Sequence, residues 1–454
     1  MQAQRLNLVL ESVGKLVRRG ALSNAINLLG KLRPVDIAHL LNQLPLHERT
    51  VTFDALARHE IVKAAEALSE MEKDHAVELL TGLSRDDVSR ILQELPSDDA
   101  ALLVAELPEE LRDELLDAMK AEHSSDVQEL LGFADETAGR IMTRDYFALD
   151  EEVTAAEAIT ALQRRSEDFE MVFYVYVVDS RNHLLGVVSL RQLLLSPPST
   201  PLRKIMIGDV IKVTTDTDQE DVARIVATYN LLAVPVVDED HKLVGIITVD
   251  DVIDVMREEA TEDIYALAGV DADDRALGSP VSSVRRRLPW LLAWLGTTLI
   301  AVAIVRYYLA TVQDWIALAA LIPVVAAMGG NAATQTLTVV VRGLGLGEVG
   351  WETSGRIVLK EALVGMINGV LVGVVVAAII SVWFSLRLGL VLGVTMVVSL
   401  FVASMLGTLI PVALKRFHFD PALSSSVVVI TLTDVATLVF YLGLATLLLA
   451  HHGS

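Results

Sequence analysis

The sequence Val234-Pro-Val-Val-Asp238, followed by Gly245-Ile-Ile-Thr-Val-Asp-Asp-Val252, decides the fold of the middle of the chain because it is a repeat. The same layout occurs 59 residues earlier, as Val175-Tyr-Val-Val-Asp179 and Gly186-Val-Val-Ser-Leu-Arg-Gln-Leu193. An Ile-Met pair precedes each copy, at Ile141-Met142 and Ile205-Met206. Each copy reads as strand, helix, strand, turn, strand, helix. The duplication predicts two α/β units in tandem.

This layout resembles a tandem pair of CBS domains, which we place at residues 133–200 and 201–264. CBS pairs often bind adenosine nucleotides, and a carboxylate after the Gly-x-x-Ser/Thr turn usually binds the ribose. The second copy has Asp251 at that position, whereas the first copy has Gln192. The resemblance therefore allows an adenosine nucleotide as a partner of the pair.

A shorter repeat precedes the pair, within residues 1–132. Its copies begin with Pro or Ser and acidic residues, continue with apolar residues at helical spacing, and stop near a Pro. Three of them are Lys31–Pro45, Leu83–Pro96 and Leu95–Pro108. Short helices of this kind predict a small acidic α-solenoid.

The composition of the chain changes after Val284, where five apolar runs are long enough to cross a bilayer. We place them near Leu288–Leu309, Trp315–Val341, Ile357–Leu386, Leu388–Leu414 and Ser424–Ala450, with a tight turn at Arg387. The fold class is therefore a multi-domain α-helical membrane protein with a five-helix transmembrane domain over residues 287–454. A connecting helix over residues 265–286 is expected to join it to the soluble part.

Charge is divided unevenly along the chain. The chain has 37 Lys/Arg and 59 Asp/Glu, and residues 285–454 hold 10 of the basic and 6 of the acidic residues. The part in front of the spans therefore has 27 basic and 53 acidic residues, which gives a net charge of −26. Such an acidic part would repel phosphates, so nucleic acid is not expected as a partner. The absence of cysteine excludes disulfides, thiolate metal sites and cysteine nucleophiles.

Basic residues of the connecting segments give the orientation in the bilayer. They cluster on the side of the soluble part, at Arg285 to Arg287, at Arg342, Arg356 and Lys360, and at Lys415 and Arg416. This side is expected to be cytoplasmic, in keeping with the lack of an apolar signal-peptide core at the start of the chain. Five spans would then place Ser454 outside, in a multi-pass protein of the cell (inner) membrane.

Two features of the spans predict ion chemistry. Asp434 lies well inside the last apolar run, where a lone carboxylate costs several kcal/mol unless it meets water, a cation or a partner. Gly329 and Gly330 of the second run either let helices approach closely or break the helix beside a cavity, and Asn331 follows them with an amide oxygen. Oxygen ligands and retained waters suit Mg²⁺.

These residues resemble the MgtE magnesium transporter family. The resemblance rests on Pro323–Gln335, Arg342–Glu348, Lys360-Glu361, Asp420-Pro-Ala422 and Thr431-Leu-Thr-Asp434, and on the order of the domains. It implies a homodimer with its pore on the two-fold axis, in which Asp434 is the pore carboxylate. By resemblance Ile430 faces the ion through its carbonyl, and Ser426 takes a pore position that is normally Asn.

The resemblance also implies a Mg²⁺ sensor made of acidic residues. Glu66 and Asp98 of the helical domain would face Asp251. The other matching sensor positions are Glu220, Asp254, Glu259, Glu262, Asp263 and Asp420. One position that is acidic in the family is Asn230 here.

The sequence thus predicts a Mg²⁺-selective channel or transporter for Mg²⁺ uptake and homeostasis, gated by cytoplasmic Mg²⁺ that is sensed in the helical and CBS domains, with Mg²⁺ as its cofactor. No catalytic set stands out, and no phosphate-binding Walker motif is present, so we do not expect an enzyme. One alternative is a CBS-regulated secondary transporter of other divalent cations (Co²⁺, Mn²⁺, Ni²⁺). Another is a membrane-tethered nucleotide sensor, which would not need Asp434.

Overall fold

The computed structural model describes residues 2–165, 172–271, 274, 279–349, 353–417, 419 and 421–449, with side chains from residue 8 and without those of 421–425. The chain divides into two compact units, one up to Val255 and one from Met256.

Ten short helices form the first part of the first unit. Their starts follow the expected signals: Pro34 occupies the first turn of α3, and the side chain of Ser84 accepts a hydrogen bond from the Asp87 amide at the start of α7. Their apolar faces share one core. The helices are α1 (Gln2–Arg18), α2 (Leu22–Leu29), α3 (Pro34–Gln43), α4 (Leu46–His59), α5 (Ile61–Ser69), α6 (Lys73–Gly82), α7 (Arg85–Leu92), α8 (Ser97–Ala105), α9 (Glu109–Ala118) and α10 (Ala121–Leu131).

Two α/β repeats follow, each with a three-stranded sheet in which the first two strands are parallel and the last two antiparallel. The register is equivalent in both sheets, since Val175 lies opposite Val188 and Val234 lies opposite Ile247. The predicted order of elements is confirmed. The elements are α11 (Ala138–Ile141), β1 (Ala148–Asp150), α12 (Ala155–Arg164), β2 (Tyr174–Val178), β3 (Leu184–Ser189) and α13 (Leu190–Leu195), then β4 (Val213–Thr214), α14 (Gln219–Tyr229), β5 (Ala233–Val237), β6 (Leu243–Thr248) and α15 (Val249–Leu267).

The Ile-Met pairs explain why the two repeats form one body. Met142, upstream of the first copy, packs against Gly245 of the second, where a Cβ would lie 2.6 Å from its sulfur. Met206, upstream of the second copy, packs in the same way against Gly186 of the first, at 2.8 Å. Each copy therefore contributes a segment to its neighbour, and only glycine leaves room for it.

Among its described residues, the second unit holds five helices that are long and apolar enough to cross a membrane. The fourth is the most buried of them and packs against the second, third and fifth. The helices are α16 (Pro280–Tyr307), α18 (Ile316–Gly345), α19 (Ser354–Trp383), α20 (Leu386–Arg416) and α21 (Pro421–Leu449), with the short α17 (Leu309–Asp314) between the first two.

Two predictions on the connections are wrong. The expected helix over residues 265–286 is interrupted, because α15 ends at Leu267, Gly269 adopts a φ of +66°, and α16 begins at Pro280 behind the N-cap Ser279. The turn between the third and fourth spans lies before Arg387, since Ser385 already caps α20.

Candidate ion-binding sites

Gly329 marks the place where three spanning helices meet. A Cβ at Gly329 of α18 would lie 3.0 Å from Ser399 Oγ of α20 and 3.2 Å from Thr437 Oγ1 of α21. The two hydroxyls bond each other at 2.8 Å. Because α18 continues unbroken from Ile316 to Gly345, the glycine serves close approach of the helices rather than a break.

Asp434 lies at the level of this crossing, next to Thr433, whose methyl group would be 3.3 Å from a Cβ at Gly329. The Asp434 side chain is half-buried on α21. No basic or hydrogen-bonding side chain pairs with it among the residues that the structure describes. An intramembrane carboxylate in this situation needs water, a cation or a proton.

The other predicted pore residues differ in their surroundings. Gly330 has open space beside it, and Asn331 is exposed, so no described residue covers this part of α18. Ile430 is half-buried. Ser426 is buried, and its hydroxyl lies 3.4 Å from the carbonyl oxygen of Ala266, in the last turn of α15.

A second carboxylate site lies in the first unit, where α8 meets the start of α15. Asp98 is only 6% exposed, and its Oδ1 has no hydrogen-bond partner among the described residues. Burial, followed by the negative charges of Asp251 and Asp99, raises the pKa of Asp98 well above its usual value. Asp251 Oδ2 accepts a hydrogen bond from Thr248 Oγ1 at 2.5 Å. The predicted juxtaposition of Asp98 and Asp251 is therefore present in the fold.

Sequence reasoning missed Glu70, the residue that caps α5. Partial burial, then the charges of Asp254 and Asp250, raise the pKa of Glu70. Its spacing of four residues from Glu66 on the same helix would have been the signal for it. Glu66 itself is exposed, and it is not among the charges that act on Asp98.

The remaining predicted sensor residues have less specific positions. Glu220 is half-buried in the first turn of α14, and Glu259, Glu262 and Asp263 are half-buried along α15. Asp420 lies outside the described residues. Within the described part of the chain, no three His, Asp or Glu side chains are arranged to hold a metal ion on their own. A cation bound at such sites would retain part of its water shell, as Mg²⁺ usually does.

This architecture is that of a multi-pass membrane protein with a helical domain and an α/β pair in front of its spans. Three family descriptions match it in order: the MgtE intracellular N domain over residues 32–136, the CBS domain over 138–197 and 202–258, and a divalent cation transporter over 322–444. The predicted resemblance and fold class are confirmed.

Three curated relatives that match about three quarters of the chain carry one name. The chain is 35% identical to the magnesium transporter MgtE of Thermus thermophilus over 337 residues, which cover 74% of this chain and 75% of the relative. It is 34% identical to that of Enterococcus faecalis, with 73% of each covered. The chain belongs to the MgtE family of magnesium transporters.

Two solved structures resemble the front part. One is the soluble part of a magnesium transporter, with a TM-score of 0.52 and 30% identity over 56% of this chain and 99% of that one. The other is the cytosolic domain of the Mg²⁺ channel MgtE in complex with ATP, with a TM-score of 0.51 and 36% identity over 54% of this chain and 99% of that one.

Proposed function

We propose that this chain is a Mg²⁺-selective channel that closes when cytoplasmic Mg²⁺ binds its front domains, and that it serves Mg²⁺ uptake and homeostasis. The observation that carries the proposal is Asp434, half-buried in a span, without a basic partner among the described residues, and level with the Gly329 crossing. A carboxylate in that position is a ligand for a hydrated cation. Two copies in a homodimer, facing each other across the pore, would require a cation or proton between them.

The pore assignment is tested by Mg²⁺ flux into liposomes that contain the full chain. We expect Asp434→Ala to abolish flux and Asp434→Asn to be nearly as damaging, because both remove the charge. Asp314→Asn is the control, since it makes the same charge change at an exposed position at the end of α17. Flux that continues at the parental rate in Asp434→Ala refutes the assignment.

Gating is proposed from the acidic residues around Asp98 and along α15. Like charges there repel one another, and a divalent cation would relieve the repulsion. A ligand shifts a closed state only by its greater affinity for that state, so several weak sites are expected to act together. The sites we propose are Glu66, Asp98, Glu220, Asp251, Asp254, Glu259, Glu262, Asp263 and Asp420.

Single-channel recording with Mg²⁺ varied on the cytoplasmic side tests the gating. The double variant Asp98→Asn with Asp251→Asn should stay open at Mg²⁺ concentrations that close the parent. Closure of the double variant at the parental concentration contradicts the sensor role. Unitary currents would also support a channel over the alternative of a secondary transporter of Co²⁺, Mn²⁺ or Ni²⁺, which would give only slow, saturable uptake.

An adenosine nucleotide at the CBS pair is proposed from the similarity to the ATP-bound cytosolic domain and from Asp251 in the second copy. ATP should protect the soluble part against thermal unfolding, and Asp251→Asn should weaken that protection. An unchanged midpoint with saturating ATP excludes the site.

The membrane orientation is proposed from the basic segments beside the spans. In this chain without cysteine, a cysteine in place of Ser454 should react with an impermeant thiol reagent added outside intact cells, and one in place of Ser199 should not. Equal labelling of both overturns the proposed topology.

A further inference from the structure

A cavity of about 350 Å³ lies between α18, α19 and α20, at the end of the spans where the basic residues cluster. Its lining joins apolar side chains to three amides, Asn331, Gln335 and Asn368. The hydroxyls of Thr336 and Ser404 and a charged pair, Lys360 and Glu361, complete the polar part of the lining. A cavity in a span whose lining combines three amides and a carboxylate with apolar side chains has polar partners for water and ions.

Glu361 is the buried charge of this cavity. The residue is 4% exposed, and its Oε1 lies 2.7 Å from the Lys360 ammonium. Among the described side chains, its Oε2 has one long contact, 3.4 Å from Thr336 Oγ1 on α18. A carboxylate can accept about four hydrogen bonds, so Glu361 keeps capacity for a further ligand on the cavity side.

The two members of the pair are unequal. The side chain of Lys360 is 60% exposed, whereas that of Glu361 is 6% exposed. Because Lys360 lies among the basic residues at this end of the spans, its long side chain can reach the aqueous boundary, but the carboxylate cannot follow it. When the ammonium leaves, Glu361 becomes a buried, uncompensated charge unless another cation takes its place.

The size of the cavity fits a hydrated divalent cation. Mg²⁺ with six waters, each taking about 30 Å³, needs about 180 Å³, and the cavity offers about 350 Å³. Asn331 lines both this cavity and the open face of α18, so the cavity adjoins the proposed ion path.

We propose that this cavity is a second cation site, where a hydrated divalent cation and the Lys360 ammonium alternate as partners of Glu361. The inference rests on the proposed function, because the cation is the transported one. Lys360 thus acts as a tethered competitor that keeps the site weak, so that an ion which enters also leaves.

The test uses the full chain and compares Lys360→Gln with Arg356→Gln. Both remove one positive charge from the start of α19, but Arg356 is exposed and does not line the cavity. Lys360→Gln should lower the Mg²⁺ concentration for half-maximal flux about threefold to fivefold. This factor corresponds to the interaction free energy of a partly exposed ion pair. Arg356→Gln should leave it unchanged. An equal shift in both variants means surface charge alone and overturns the proposal.

A binding measurement separates this proposal from the proposed function. Mn²⁺ shares the oxygen ligands of Mg²⁺, and electron paramagnetic resonance counts the Mn²⁺ bound by the purified chain. Lys360→Gln should tighten one Mn²⁺ site per chain, and the addition of Glu361→Gln should remove that site. An unchanged Mn²⁺ count in the double variant overturns the proposal. If the parent chain transports no Mg²⁺, the proposed function is refuted, but the number of bound Mn²⁺ ions still tests the cavity site.

Discussion

Asp98→Asn should stabilise the soluble part of the chain in the absence of divalent cations. In the parent, Oδ1 of Asp98 lacks a hydrogen-bond partner among the described residues, and the charge of Asp251 acts on it. An Asn amide at the same place can donate to the Asp251 carboxylate, and a hydrogen bond to a charged group contributes about 1.5–3 kcal/mol. For about 250 residues this raises the unfolding midpoint by about 3–12 °C.

The pH dependence follows from the sign of the shift. The pKa of Asp98 is raised in the folded state, so the folded chain holds this proton more tightly than the unfolded chain does. The penalty for the charged form is complete above the folded pKa and fades as pH falls toward about 4, the usual value for Asp. The advantage of Asp98→Asn should therefore be largest at high pH and shrink on acidification.

Thermal unfolding of residues 1–267 in a chelator, with and without Mg²⁺, provides the assay. Asp113→Asn is the control, because it removes a charge from an exposed position in the middle of α9. Mg²⁺ should raise the midpoint of the parent and narrow the gap to Asp98→Asn. A midpoint of Asp98→Asn at or below that of the parent, at neutral pH without cations, refutes this account of Asp98.

Two further predictions concern stability. Gly245→Ala should cost about 1–3 kcal/mol of unfolding free energy, because the added Cβ would lie 2.6 Å from the sulfur of Met142, whereas Gly208→Ala, with 3.7 Å to its nearest atom, should be close to neutral in thermal unfolding. Arg49→Ala should cost about 2–3 kcal/mol of unfolding free energy, measured in urea. The buried guanidinium donates to the carbonyls of Leu41 and Leu44 at the end of α3 and to the Glu78 carboxylate of α6. The control Arg58→Ala removes only an exposed ion pair, which contributes less than about 1 kcal/mol. Equal losses within either pair of variants would contradict these assignments.

Local patterns sufficed to predict most of the fold. The repeated strand and turn around Val175 and Val234 predicted the α/β pair, because a spacing that occurs twice indicates that one structural unit is duplicated. Apolar length alone predicted the five spans. The exchange of Met142 and Met206 between the repeats was beyond reach, since the segments look alike and only packing reveals which copy each one joins.

The connection in front of the spans was mispredicted for a physical reason. Residues 266–280 mix good helix formers such as Ala266 and Leu267 with poor ones such as Gly269 and Pro280, and a continuous helix across most of them was the expectation. The left-handed conformation of Gly269 ends it instead. Glycine is tolerated inside helices often enough that the stop becomes apparent only once Pro280 is seen to start a new, capped helix.

The candidate sites also divide into those that a local sequence pattern reveals and those that depend on packing. A lone carboxylate in an apolar run is visible in the sequence, so Asp434 was found directly. The proximity of Asp98 to Asp251 came from family resemblance, and that of Glu70 to Asp254 was missed, because both depend on how the solenoid packs against the α/β pair within the first unit.

The pairing of the buried charged side chains gives a reason to expect a cation at Asp98. Five charged side chains are buried among the residues that the structure describes, and four of them have a partner of opposite charge. These four are Arg49 with Glu78, Arg140 with Asp135, Asp274 with Arg287, and Glu361 with Lys360. Asp98 has instead a second carboxylate beside it. Because the fold compensates its other described buried charges internally but not this one, we expect it to become more stable when a cation is present. That dependence on the ion is what a Mg²⁺ sensor requires.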